Sequence, residues 1–226
     1  MSQTNQSYMS VGWVIAALVL FQPTACISAA FSADNIAQLT DHMRRGLAYY
    51  FVGQHEPALQ EFTEAIKIEP QSGEAYFYRG RAHGDRRDYE AAISDYTRAL
   101  KLRPEYDEAY YYRGNIYGLT KRYDLALVDF NRVIEINPKV AAAYNSRGKI
   151  YEEKKQYERA LADYNRAIDI NPRAALAYFN KGLLHMKLKN KEEATEAFKL
   201  AIAHAQPDQI RLKELAQKLI QSSKRQ

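Results

Sequence analysis

The stretch Ala143-Tyr144-Asn145-Ser146-Arg147-Gly148, running on to Asn171-Pro172, decides the fold. It opens on Tyr-x-x-Arg-Gly, passes Ala160, Tyr164 and Ala167, and closes on Asn-Pro. The frame recurs 34 residues earlier as Tyr110-Tyr111-Tyr112-Arg113-Gly114, then Ala126, Phe130, Val133 and Pro138. One step further back it is Tyr76-Phe77-Tyr78-Arg79-Gly80, then Ala92, Tyr96, Ala99 and Pro104. Prolines 70, 104, 138 and 172 keep this interval, as do glycines 46, 80, 114, 148 and 182. A fixed period of this length means stacked helical hairpins, each unable to bury its second apolar face without a neighbour.

Within one unit the marks have separate physical reasons. The spacing predicts a first helix over 141–153 and a second over 157–170. Gly148 and Ala160 fall where the two helices cross, because small side chains let helix axes approach closely. Tyr151, Tyr164 and Ile168 fill the space towards the next hairpin. Asn171-Pro172 ends the second helix, since the residue before a proline is pushed out of helical backbone angles.

These marks resemble the tetratricopeptide repeat (TPR): an aromatic, a small residue four places on, an aromatic three later, then a spaced Ala, aromatic, Ala and Pro. Here they read Tyr144, Gly148, Tyr151, Ala160, Tyr164, Ala167 and Pro172. The resemblance covers residues 39–208 and implies an all-α, right-handed α-solenoid of five helical hairpins. The repeats are 39–72, 73–106, 107–140, 141–174 and 175–208. His42 replaces the leading tyrosine of the first, as expected of an end repeat. In the fifth, Pro207 comes one residue late.

Residues 31–38 read as a connector and 209–226 as a capping helix with a tail. Leu212, Leu215, Ala216, Leu219 and Ile220 recur at helical spacing, opposite Lys213, Glu214, Gln217 and Lys218. Such a half-polar lid closes a stack of hairpins.

The N-terminus has a different character. Residues 1–30 contain no Asp, Glu, Lys or Arg, and an apolar run spans 11–21. Pro23 breaks the run, and the small residues Ser28, Ala29 and Ala30 follow. This reads as a secretory signal cut after Ala29 or Ala30. Two alternatives stand beside it: an uncleaved anchor over 9–31, and lipidation of Cys26, with Pro23 where an aliphatic residue is usual. Cys26 is the only cysteine, so an internal disulfide is excluded.

Little in the chain looks catalytic. Of the five histidines, His83 and His185 occupy the frame position of Tyr49, Tyr117 and Tyr151 and read as packing residues. No pair has zinc-site spacing, no glycine-rich phosphate loop is present, and no serine lies in a nucleophile elbow. No metal or cofactor is expected, and the chain reads as a non-enzyme. The Arg at 79, 113 and 147, with Lys181, precedes each crossing glycine and is expected to run its stem along the hairpin.

Net charge is +5. Basic and acidic residues mix through the repeats, as on a solvated face, which gives no support to a nucleic-acid role.

In the TPR family the first helices line a concave surface. The stripe facing it lies one residue after the leading aromatic and again four further on. It gives Met43 with Leu47, Phe77 with Arg81, Tyr111 with Asn115, Asn145 with Lys149, and Phe179 with Leu183. Tyr78, Tyr112 and Asn180 lie beside them. Rings with interleaved Asn, Arg and Lys suit an extended peptide: the rings hold apolar side chains, Asn bonds backbone, and the cations take carboxylates. The Lys, Asn and Arg set with which some TPR proteins grip a C-terminal carboxylate is not complete here. The resemblance thus implies an adaptor or scaffold for a protein or peptide partner, and the N-terminal segment points to its export to the periplasm or envelope. Assembly of an envelope or secretion complex is the role the resemblance suggests. The rivals are a membrane-anchored or lipidated organiser and a non-catalytic enzyme subunit.

Overall fold

The computed structural model describes residues 32–223. Among them all regular structure is helical, in eleven helices. They divide into two compact units, the first ending at Pro104 and the second beginning at Glu105. The signal, anchor and Cys26 readings lie outside the described residues. No described helix is long and apolar enough to cross a membrane.

The first unit holds two hairpins: α1 (Ala33–Phe51) with α2 (His55–Ile68), and α3 (Gly73–Asp85) with α4 (Tyr89–Leu102). The second holds three: α5 (Asp107–Leu119) with α6 (Tyr123–Ile136), α7 (Ala141–Glu153) with α8 (Tyr157–Ile170), and α9 (Ala175–Lys187) with α10 (Lys191–His204). The last helix, α11 (Ile210–Ser223), packs on α10. The fold is an all-α repeat solenoid, and α7 and α8 span the ranges expected from the sequence.

Each crossing glycine lies under the aromatic ring that follows it by 16 residues. A Cβ at Gly148 would stand 2.8 Å from Tyr164 Cε1 and 3.2 Å from the Ala160 carbonyl oxygen. Gly46 meets Phe62, Gly80 meets Tyr96, Gly114 meets Phe130 and Gly182 meets Phe198 in the same way. All five rings are buried, each contributing about 1.5–3 kcal/mol of transfer free energy. Tyr164 also reaches the next hairpin, clustering with Leu184 and with half-buried Tyr151. Ile168 packs against Tyr144 and Ala177.

Two kinds of turn punctuate the chain. Asn137 and Asn171 are extended (φ −138° and −131°), as the following proline demands. Within each hairpin the first helix ends on a residue with positive φ: Gly53, Arg87, Lys121, Lys155 or Lys189. At Lys155 its N–H donates to the Glu152 carbonyl at 2.9 Å, and the Gln156 N–H donates to the Tyr151 carbonyl at 2.8 Å. This pair of bonds is the Schellman arrangement that satisfies the last carbonyls of a helix.

Two expectations need correction. Residues 33–38 are not connector but the first turns of α1, capped by Ser32, whose hydroxyl accepts from the Asn35 N–H at 3.1 Å. In α11 the packed stripe is buried Ala216 with half-buried Leu212, Leu219 and Ile220, while Leu215 is exposed.

Candidate functional site

In the first unit the expected binding stripe is largely absorbed by packing. Phe77 is 4% exposed. Its ring meets Tyr78 edge-on at 5.1 Å and tilts against Tyr96 at 6.0 Å. Half-buried Tyr78 stacks on Phe62 at 5.9 Å. Met43 and Leu47 are buried in the same core. Arg81 lies with its guanidinium 5.0 Å over the Tyr50 ring, and the Tyr50 hydroxyl donates to Asp85 at 2.8 Å. Phe77 is therefore a core residue and not a groove wall. A helical side chain leans towards the N-terminus of its own helix, and a large apolar one at this position finds the core.

The second unit corrects Phe179 in the same sense. It is 7% exposed, with its ring 5.6 Å from Phe198. Polar residues at the equivalent position behave differently. Half-buried Asn145 is joined to Asn180 of the next repeat, whose Nδ2 donates to Asn145 Oδ1 at 2.9 Å. Each amide keeps hydrogen-bonding capacity beyond this one bond. Tyr111 is half-buried, edge-on to Tyr112 at 5.5 Å and tilted on Phe130 at 6.1 Å.

Asn115 and Lys149 line one recess of about 460 Å³. Its apolar lining is Leu119, Phe130 and Ile150, and exposed Glu153 and Lys121 contribute to it as well. Gly118 opens it: a Cβ there would come within 2.9 Å of Ile150 Cδ1. In the other repeats the equivalent place carries Tyr50, Gly84, Glu152 and Met186. The structure thus brings Asn115 and Lys149 together, links Asn145 to Asn180, and leaves Lys149 exposed.

A series of buried ion pairs escaped the sequence reading. Arg79 Nε and Nη2 donate to Asp95, both at 2.8 Å. Arg113 donates to Asp129 at 2.9 and 2.8 Å, and Arg147 to Asp163 at 2.8 Å twice. A further nitrogen reaches back one repeat, from Arg79 to Thr63 at 3.3 Å and from Arg147 to Asn131 at 2.7 Å. Each guanidinium also lies over the leading tyrosine, 5.5 Å from Tyr76 and from Tyr144, and 5.6 Å from Tyr110. The hydrogen bond to Asp163 raises Arg147 further above its ordinary pKa. Burial pushes the Asp129 carboxyl upward, and Arg113 pulls against that shift. The signal in the sequence was an Arg and an Asp 16 apart, recurring with the repeat. These arginines are tied to their own hairpins and, at Arg79 and Arg147, to the preceding one as well.

The histidines at 83 and 185 sit within hairpin packing, half-buried and buried respectively. Among the described residues no three His, Cys, Asp or Glu side chains are grouped to hold a metal ion.

Family models described as TPR repeat or tetratricopeptide repeat match residues 42–72, 79–141, 130–162, 148–189 and 175–208. No curated protein matches the chain significantly. Among solved structures, MamA from Desulfovibrio magneticus RS-1 is 24% identical with a TM-score of 0.68, over 74% of this chain and 94% of that one. YrrB, described as a TPR protein with an unusual peptide-binding site, is 24% identical with a TM-score of 0.62, covering 78% and 90%. TTC0263, a thermophilic TPR protein of Thermus thermophilus, is 20% identical with a TM-score of 0.67, covering 80% and 98%. At these identities the likeness is one of fold.

Proposed function

We propose, since the chain belongs to the tetratricopeptide repeat family, that it is a protein-binding scaffold whose first-helix face in the second unit holds an extended peptide. The observation that carries this reading is the Asn145–Asn180 amide pair beside exposed Lys149 and the recess it shares with Asn115. Amides at helical spacing match the backbone groups of an extended chain, a ring or apolar wall takes a side chain, and a lysine takes a carboxylate. Tyr111 and Tyr112 flank the start of this face. Arg81 and Tyr78 are the counterparts in the first unit, where Phe77 packs edge-on against Tyr78 from the core. No step of this function is chemical, and the chain acts as an adaptor and not as an enzyme.

The setting is read from residues 1–30. Their apolar run and small residues before Phe31 support export, with assembly of an envelope or secretion complex as the role. Retention of 9–31, or acylation of Cys26, turns the same scaffold into a membrane-held organiser. Mass spectrometry of the mature N-terminus separates these: Ala30 or Phe31 for cleavage, acylated Cys26 for a lipoprotein, Met1 or Ser2 for an anchor.

The binding face is tested with the full chain carrying Asn145→Ala and Lys149→Ala together. Partner capture in a quantitative pull-down is expected to disappear while helical circular dichroism stays unchanged. Undiminished capture rejects this face as the site.

A further inference from the structure

The fifth repeat breaks the pattern of buried ion pairs. Lys181 stands where the others have arginine, and Ala197 stands where the first repeat has Glu61 and the next three have Asp95, Asp129 and Asp163. The Lys181 ammonium donates to the neutral Asn165 Oδ1 at 2.8 Å, and no carboxylate among the described residues pairs with it. Where the missing carboxylate would lie, a recess of about 430 Å³ opens between α8, α9 and α10. Its apolar surface is Leu161, Ala197 and Leu200. His185, 9% exposed, forms part of its lining, as does Tyr178, whose ring is braced by stacking on His204 at 5.5 Å.

We propose that this recess is a second polypeptide-binding site, separate from the first-helix face, and that it takes an acidic side chain of a partner in place of the carboxylate this repeat lacks. In the second, third and fourth repeats this position holds an aspartate that meets its cation twice at hydrogen-bond distance. Here the cation and the space remain, and the aspartate is gone. A charge-assisted bond from Lys181 supplies the recognition, and the apolar surface takes the methylenes of the incoming Asp or Glu. Exposed Glu193 and Glu196 also line the recess. They repel a run of acidic residues and favour one acidic residue flanked by Lys or Arg. The partner is thus a mixed-charge segment of polypeptide.

The test uses a random-peptide display library panned on the immobilised full chain and counter-selected on Ala197→Asp, which supplies the missing carboxylate from within. Peptides kept by the wild type and refused by the variant are expected to carry Asp or Glu beside a basic residue. Their affinity, measured by calorimetry, is expected to fall on the order of tenfold or more in Ala197→Asp and in Lys181→Met. It is expected to be unchanged in the Asn145→Ala, Lys149→Ala chain, so this site and the first-helix face stand or fall apart. Lys181→Met decides the matter if Ala197→Asp fails to fold. The proposal is overturned if no peptide survives counter-selection, if the survivors lack an acidic residue, if Lys181→Met binds them undiminished, or if the first-helix variant loses them equally.

Discussion

Arg113 and Asp129 face each other across one hairpin, joined by two near-parallel bonds of 2.9 and 2.8 Å although 16 residues separate them in sequence. The aspartate side chain is 2% exposed and the arginine 16%. Such a pair adds little over a well-packed apolar one, but removing one member strands the other. Asp129→Asn keeps the shape and removes the charge. We expect it to destabilise the chain by about 3 kcal/mol, read as a lower urea midpoint. Glu196→Gln, which breaks the exposed pair with Lys199, is expected to change stability by no more than about 0.5 kcal/mol.

The glycine crossings make a second expectation. At Gly148 an added methyl would meet the Tyr164 ring on one side and the Ala160 backbone oxygen on the other. The ring is buried and the backbone cannot yield without moving a helix. Gly148→Ala is therefore expected to cost about 1–3 kcal/mol by overpacking, measured by thermal or urea unfolding. The usual helix preference for alanine over glycine works in the opposite direction and is outweighed.

The hairpin turns offer a stabilising change. Lys155 holds φ at +59°, a left-handed conformation that an L side chain reaches at a cost of about 1–2 kcal/mol. Gly53 fills the same place in the first repeat without that cost. Lys155→Gly relieves the strain and loosens the unfolded chain, which offsets part of the gain. The net expectation is a rise of about 0.5–1 kcal/mol, seen as a higher melting temperature.

His185 makes a pH prediction. Burial lowers its pKa, and neighbouring Lys181 lowers it further. The folded chain therefore resists the proton that the unfolded chain accepts. Above the ordinary histidine value of about 6.5 both states are neutral and no penalty arises. Below it the unfolded state takes up the proton first, so stability falls as pH drops, until the folded state also protonates. His185→Tyr, which restores the residue the frame carries elsewhere, is expected to flatten this part of the profile in urea titrations between neutral and mildly acid pH.

The repeat frame made most of the fold legible before any coordinates. A glycine, a ring and a proline at fixed spacing each state a local constraint, so the ends of α7 and α8 followed directly. The start of α1 was missed because residues 33–38 carry no repeat mark, and only the Ser32 cap announces the helix. Of the candidate site, the repeat spacing put Asn145, Lys149 and Asn115 on the first helices, while their part in binding came from the family resemblance and remains a proposal. Phe77 and Phe179 were misplaced because spacing gives a helix face and says nothing of how far a large ring leans back into the core. The Arg–Asp pairs were overlooked for a related reason: they join two helices, and a reading along one helix does not see across the turn.

The turns of the last four hairpins carry an exposed Arg or Lys, at 87, 121, 155 and 189, always 34 residues apart. Those are cleavage sites for trypsin, set at tips of the chain where nicking is easiest. A brief digest of the native protein should therefore yield a family of fragments that differ from one another by single repeats, so that a gel lane counts the duplications in the gene product directly.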